Sequence, residues 1–450
     1  MIVSSIKLKN YRRFLDIDIN FNSRFNIVIG KNGAGKTTIL DAVATMLGTW
    51  FHGSNLPVHA GNIKSDDRRF TLKEVGGEVF KDIEDEVYLE ASCTVSDQHI
   101  IWRRDYGDRG KNAREYITHG NTIRASIKSD VTSPLPVLLY YGAGRLWKQH
   151  RNLSTKGPSR QIDAYKFCLD PLSDQRSFER WFKKMTQSGL QKHKEFSPTA
   201  VIEEAVICCI PGAQKFYFDI DLDEVVVELE QEGLVPLNSL SDGFRNMIAM
   251  IADIAHRAFR LNPHLEANAA RESYGVVLID EIDLHLHPKW QRRVVDNLQT
   301  AFPNLQFIVT THSPFILQSA KNNEVIDISA NDERKYADDM RQDLLGPQGE
   351  NVGPVPDETV ENRSIEDIAE LIMGIEMPQR SERAQKMHKA AIEYYSLLAS
   401  HPHATQKQKD ELKERLDRLS APFSENIAYH AYLQTKRIAA GVTSKEEEEE

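Results

Sequence analysis

Eight residues, Gly30-Lys31-Asn32-Gly33-Ala34-Gly35-Lys36-Thr37, restrict this chain more than any other stretch. They fit G-x-x-x-x-G-K-[ST], follow the apolar run FNIVI and precede TTILDAVATML, whose apolar residues recur at helical spacing. A strand, a glycine-rich turn and a helix in that order make a phosphate cradle. Backbone amides and the helix N-terminus point at an anion, the lysine adds charge, and the Thr37 hydroxyl suits Mg2+. Gly30, Asn32, Gly33, Gly35, Lys36, Thr37 and Thr38 are therefore the expected nucleotide-binding residues. The expected ligand is ATP or a close relative, because such a loop reads phosphates rather than the base.

Two further runs, GVVLIDEID at 275–283 and LQFIVTTHSP at 305–314, are short, rich in β-branched residues and end in polar ones, as buried parallel strands do. Asp280 closes the first and is expected at the strand's C-terminal edge beside the cradle, as a Mg2+ ligand. Glu281 follows it and is the expected catalytic base, since a base needs reach to the attacking water and not to the metal. His312 ends the second run, where an imidazole can donate to the γ-phosphate or fill a purely structural place. His285 and His287 in DLHLHP have metal-like spacing but no third ligand nearby in sequence.

One strand set thus supplies cradle, metal ligand, base and sensor, but no group for the far side of the γ-phosphate. NSLSDGFRN, at 238–246, runs into the helical pattern MIAMIADIAHRAF. Ser241 is placed to cap that helix, Asp242 suits the positive end of its dipole, and the helix start is itself an anion site. Its distance from the cradle suggests that it serves a second copy's nucleotide, closing an ATP sandwich.

Elsewhere, IVSSIKLKNYRRF, LDIDINFN, EVYLEASCTVSDQHIIWRR and PVLLYYGAG read as strands. KFYFDID and EVVVELE read as a hairpin, and RSFERWFKKM as a short amphipathic helix. The stretch from 145 to 195 is the most basic and belongs to a partly helical insertion at about 145–235. It fits a solvated basic face or a nucleic-acid or partner surface. Strand-like runs cease past about Ala330, and the sequence from Ser364 onward has helical periodicity behind a capping-box-like start at Ser364 and Asp367. A head at 1–330 and a helical region at 331–450 are the expected domains.

The formal net charge of −10, half of it from Glu446–Glu450, argues against a surface coated for nucleic acid. Cys93, Cys168, Cys208 and Cys209 show no Cys-x-x-Cys spacing, and no apolar stretch approaches about 18 residues. A cytoplasmic protein with buried, reduced thiols and no membrane contact is expected.

In this order and spacing, GKNGAGKTT, LSDGF, VVLIDEID with DLHLHP, and TTHSP resemble the ABC-type ATPase heads of the SMC, RecF and OLD group over about residues 1–330. The resemblance implies an α/β head with a mixed central sheet and an antiparallel lobe. It also implies dimer communication through Asp283, trans contacts from Ser241 and Gly243, and approach of Arg12 or Arg13, in KLKNYRRF, to the nucleotide. No glutamine falls clearly at that group's Q-loop position; Gln149 and Gln161 are the candidates. The compact insertion and lack of a long coiled coil separate the chain from SMC proper, and the helical C-terminus separates it from OLD nucleases.

Within the group the chain most resembles the PtuA family of the Septu antiphage system. That resemblance implies a homo-oligomer built on ATP-sandwich dimers, a separate PtuB-like HNH nuclease as partner, and DNA reached through the complex. The alternative is a RecF- or SMC-like repair ATPase that clamps DNA on binding ATP; an ATP-dependent scaffold with little turnover is a third possibility. Three C-terminal segments, SIEDIAELIMGIEM, SERAQKMHKAAIEYYSLLA and ENIAYHAYLQTKRIAA, have apolar residues at spacings of three and four. They are expected to dock the nuclease or to pack on the head.

Overall fold

The computed structural model describes residues 1–328 except 55, 59–61, 96–97, 109, 128, 147–159, 172–174, 193–197 and 322, then 351–352, 364–369 and scattered positions up to 435. The chain divides into two compact units, Met1–Ile368 and Ala369–Glu450. In the second, an ion pair of 3.0 Å joins Arg415 to Glu393.

The first unit opens with the antiparallel strands β1 (Ile2–Tyr11) and β2 (Phe14–Asn20), and β3 (Phe25–Ile29) then leads into α1 (Lys36–Gly48). The hairpin of β4 (Phe70–Val75) and β5 (Glu78–Ile83) is exposed throughout. Strands β6 (Tyr88–Val95) and β7 (Gln98–Asp105) follow, then α2 (Arg114–Ser126) and β8 (Val137–Tyr141). Past them come α3 (Gln175–Lys192), α4 (Pro198–Cys209), β9 (Ala213–Asp219), β10 (Glu224–Leu229) and β11 (Gly233–Pro236). The unit continues through α5 (Asp242–Leu261), α6 (Ala269–Glu272), β12 (Gly275–Ile279), α7 (Pro288–Ala301), β13 (Leu305–Thr310), α8 (Pro314–Leu317) and β14 (Val325–Asp327). A last strand, β15, covers Asn351–Val352.

Two five-stranded sheets form the head. One has the order β14-β3-β13-β12-β8 and is parallel throughout. Its β3, β12 and β13 are buried at every position, which explains why their sequences run apolar instead of alternating. The other, β15-β2-β1-β6-β7, is antiparallel except where β15 joins β2, and its strands alternate buried and accessible residues. It is the lobe that the resemblance implies, whereas the central sheet is parallel and not mixed as expected, its described strands all running the same way; the fold is the α/β ABC-type ATPase head.

Gln306, fully buried in the middle of the parallel sheet, ties the two sheets together. Its Oε1 accepts from the Val3 amide at 2.8 Å, and its Nε2 donates to the carbonyls of Val3 and Asn22, both at 2.8 Å. Val3 lies where the β1–β6 register shifts, so the side chain completes a ladder that the irregularity interrupts.

Several expectations change. The hairpin of β9 and β10 gains a third strand, β11, in GLVP, a segment whose proline and glycine masked it. The amphipathic helix at RSFERWFKKM runs on to Lys192, because the polar residues after Met185 continue the helix without adding an apolar stripe. Past Ala330 a two-residue strand, β15, pairs with β2 through main-chain bonds that need no apolar run. Cys93, Cys168 and Cys209 are buried, whereas Cys208 on the outer side of α4 is only half-buried, and all four are free thiols. No helix among the described residues is long and apolar enough to cross a membrane.

Gln306→Leu keeps the volume but strands the Val3 amide and carbonyl. It is expected to lower the free energy of unfolding by about 2 kcal/mol, measured by chemical denaturation. A change below about 0.5 kcal/mol would show that the amide is dispensable.

Candidate nucleotide site

The cradle forms where β3 ends and α1 begins. Gly33 and Gly35 have φ of +78° and +101°, values that side-chain-bearing residues rarely adopt, so the glycines set the turn. Asn32 and Gly33 are exposed on its crest, Gly30 and Gly35 half-exposed, and Thr38 half-buried in the first turn of the helix. No acidic residue lies in that first turn, so the helix itself places no carboxylate against the positive end of its dipole, which faces the loop. Lys36 folds back over the loop, its Nζ donating to the carbonyls of Gly30 at 2.8 Å and Lys31 at 3.2 Å. Burial lowers its pKa, against the pull of Asp280, Glu281 and Asp283 in the opposite direction. An ammonium held this way gains from an anion.

Asp280, 3 % exposed, is where the motifs meet. Its Oδ2 accepts from the Thr37 hydroxyl at 2.9 Å and its Oδ1 from the Thr310 hydroxyl at 2.6 Å. Thr310 in turn accepts from the Glu281 amide at 2.8 Å. Four side-chain oxygens, from α1, β13 and the residue after β12, therefore converge at the C-terminal edge of the sheet. A hydroxyl and a carboxylate in direct contact fit the hard-oxygen donor set of Mg2+. Glu281, half-buried, has φ of +49°, an uncommon conformation for a residue with a side chain and one that recurs at functional sites.

The turn after Glu281 is braced by β13. Thr311 donates to Asp283 at 2.5 Å, and Ser313 donates to Gln291 Oε1 at 2.6 Å. Gln291 Nε2 donates to the Leu286 carbonyl at 2.9 Å. His312, half-buried, therefore stands between two residues whose side chains are tied to the DLHLHP turn. His287 caps α7, its Nδ1 accepting from the Lys289 amide at 3.3 Å. Among the described residues, no group of three or more His, Cys, Asp or Glu is placed to hold a metal ion.

The same turn holds the start of α5. A Cβ added to Gly243 would lie 2.0 Å from the His285 carbonyl oxygen, so only glycine permits this approach. Phe244 packs on Trp290 with ring centroids 4.2 Å apart. Gly243 is thus buried within its own chain and has only its main chain to offer a ligand, while Ser241 and Asp242 are exposed. Ser241 occupies the N-cap, yet its hydroxyl makes no capping bond, contrary to the expectation that it would satisfy the helix amides. Its backbone is set by the turn from Leu240, and Asp242 pairs with Arg245 at 2.6 Å instead.

The two arginines divide. Arg12 is bound by Asp41 of α1 at 2.5 Å and by Asp67 at 2.9 Å, so it braces the helix behind the cradle. Arg13 is exposed and overlies the loop: a Cβ at Gly35 would lie 2.8 Å from its Cδ. Gln161 donates to the Leu261 carbonyl at the far end of α5, which removes it from the Q-loop place, and Gln149 lies outside the described residues. The strand beside β12, β8, ends in Tyr140 and Tyr141. Sequence reading also missed Thr310 and Gln291. Thr310 sits inside the TTHSP stretch already singled out, whereas Gln291 had no sequence signal.

Gly243→Ala must push α5 and the DLHLHP turn apart. Overpacking of this kind costs about 1–3 kcal/mol, expected as a lower denaturation midpoint; an unchanged midpoint would mean that the contact yields freely.

Two family models match the chain. One, described as "AAA domain", covers residues 5–198; the other, "AAA domain, putative AbiEii toxin, Type IV TA system", covers residues 145–318. The chain is 27% identical to a "Retron Vc95 probable ATPase" of Vibrio cholerae serotype O1 biovar El Tor, over 71% of this chain and 72% of that protein. It is 25% identical to the Septu protein PtuA of Bacillus mycoides over 93% of this chain and 50% of that one. To the Septu protein PtuA of Bacillus thuringiensis it is 26% identical, over 89% and 95% respectively. By its motifs and these matches, the chain is similar to the Septu PtuA proteins and the retron ATPases, and its nucleotide motifs are those of a P-loop ATPase.

Proposed function

We propose that the chain is the ATP-hydrolysing subunit of an antiphage defence complex and controls a separate HNH-type nuclease through a nucleotide-dependent dimer. The observation that carries the ATPase reading is the Thr37–Asp280–Thr310 hydrogen-bonded cluster at the mouth of the cradle, with Glu281 directly beside it. Likeness to Septu and retron ATPases supports the defence setting, and the PtuA resemblance supports the HNH partner and DNA reached through it.

In this reading the amides of residues 33–38 and Lys36 bind the β- and γ-phosphates. Thr37 and Asp280 would hold the Mg2+ ion, which when bound neutralises charge on the phosphates. Glu281 orients and polarises the attacking water, and His312 donates to the γ-phosphate from the other side. Arg13 approaches the loop from the lobe. Ser241 and the open amides at the start of α5 face the γ-phosphate bound by a second copy, which exposure of Ser241 favours. The helical region from about 361 to 440 docks the nuclease.

Lys36→Ala is expected to remove ATP binding. Glu281→Gln should retain it and slow hydrolysis by about 100-fold or more, as seen by calorimetry and phosphate release. Equal loss of affinity in both would make Glu281 structural. Ser241→Arg should bind ATP yet fail to hydrolyse it, and mixed dimers of Ser241→Arg with Lys36→Ala should regain about half of the wild-type turnover through one intact composite site. No recovery in verified mixed dimers would contradict trans action.

Because β15 belongs to the head, the informative truncation ends at Ile368. Residues 1–368 should bind ATP but neither co-purify with the nuclease nor protect cells from phage. Retention of the nuclease would move the docking surface to the basic insertion, and DNA cleavage by the purified full-length chain would overturn the two-component scheme.

A further inference from the structure

Strand β8 lies beside β12 in the parallel sheet, with Tyr141 level with Ile279. Just past that pair the Asp280 amide donates to the Tyr141 carbonyl at 2.8 Å. The Tyr141 hydroxyl reaches the other way and donates to Asp253 Oδ2 of α5 at 2.8 Å. One residue therefore touches both the backbone of the carboxylate at the phosphate cradle and the helix that begins at Ser241. Asp253 lies about 18 Å along that helix from Ser241, taking about 1.5 Å per residue.

The far end of the link is rigid. Arg257, one turn on, donates its Nε to both Asp253 oxygens at 3.1 and 2.9 Å. Its Nη1 donates to the carbonyls of Ala164 at 2.6 Å and Lys166 at 3.1 Å, in the segment that follows β8. His256 Nδ1 is 3.6 Å from Asp253, and its ring lies against Trp181. Burial raises the Asp253 carboxyl, but Arg257, His256 and Tyr141 together hold it well below the usual carboxylate range. Burial likewise draws His256 down to about 4, so it is neutral near pH 7. Burial and Asp253 push the Tyr141 hydroxyl well above its ordinary value, so it remains a proton donor.

We propose that Tyr141 is a positioning residue: through Asp253 it sets the placement of α5, and so of Ser241, according to the state of the strand end that carries Asp280. It ends the strand beside β12, and it acts on the nucleotide of a second copy rather than on its own. The inference rests on the composite-site reading given above.

The test uses full-length chains with two different tags, so that mixed dimers can be isolated. Tyr141→Phe, which removes one oxygen, should bind ATP with affinity within about 2-fold of wild type but hydrolyse it at least about tenfold more slowly. Mixed with Lys36→Ala, whose α5 is intact, it should regain turnover, because the remaining competent cradle then faces a correctly placed Ser241. Mixed with Ser241→Arg it should not. A purely structural defect, or one at its own Asp280, would give no recovery with Lys36→Ala and would overturn the proposal, as would unaltered turnover in Tyr141→Phe alone. Asp253→Asn should reproduce the same pattern, and a different pattern counts against the link. If the reference mixture of Lys36→Ala with Ser241→Arg itself stays inactive, the composite site is what fails, and this inference falls with it.

Discussion

The site depends on one buried carboxylate. Asp280 is desolvated at the end of β12 and would be costly there without partners. It is satisfied by hydroxyls from two other elements, Thr37 of α1 and Thr310 of β13. Each hydrogen bond fixes a strand end or helix start relative to its neighbours, so the phosphate cradle, the Asp280 carboxylate and the Glu281 turn hold one arrangement. A parallel sheet makes this economical, because all its strands end on the same edge.

From that edge the geometry is carried outward by two struts. The first is the DLHLHP turn, tied to the segment after β13 by Thr311 and, through Gln291 of α7, by Ser313, and touching Gly243 at the start of α5. The second is Tyr141, whose main chain meets Asp280 and whose hydroxyl meets Asp253 in the middle of the same helix. Helix α5 is thus held at its start and in its middle by groups that border the nucleotide edge. Ser241 is left exposed at the tip, the disposition expected of a group that serves another copy.

The sequence made the cradle, Asp280, Glu281 and His312 legible because each follows an apolar run that must be a buried strand, and strand ends in a parallel sheet share an edge. The exposure of Ser241 was legible in the same way, from a polar start ahead of a strongly apolar helix. The role of its hydroxyl was not: capping is a common use of serine before a helix, and only the folded chain shows that the bond is not made. Arg12 and Arg13 are adjacent and alike in sequence, and only Asp41 and Asp67, remote in the chain, show that Arg12 braces the helix behind the cradle. Gln306 and Tyr141 were invisible for a related reason, since a polar group inside an apolar strand shows its purpose only when its long-range partner is known. Strand β15 was hidden because main-chain pairing of two residues leaves no pattern at all.

The central claim is that one chain's Ser241 region meets the γ-phosphate bound by another. Its most direct test is a non-hydrolysable ATP analogue with a photoreactive group on the γ-phosphate, applied to mixed dimers of wild-type and Lys36→Ala chains. The Lys36→Ala chain lacks the lysine needed to hold the analogue itself. The account predicts label on the Lys36→Ala chain, in the peptide around Ser241–Arg245, and only when the wild-type chain is present. Label confined to the wild-type chain would contradict it.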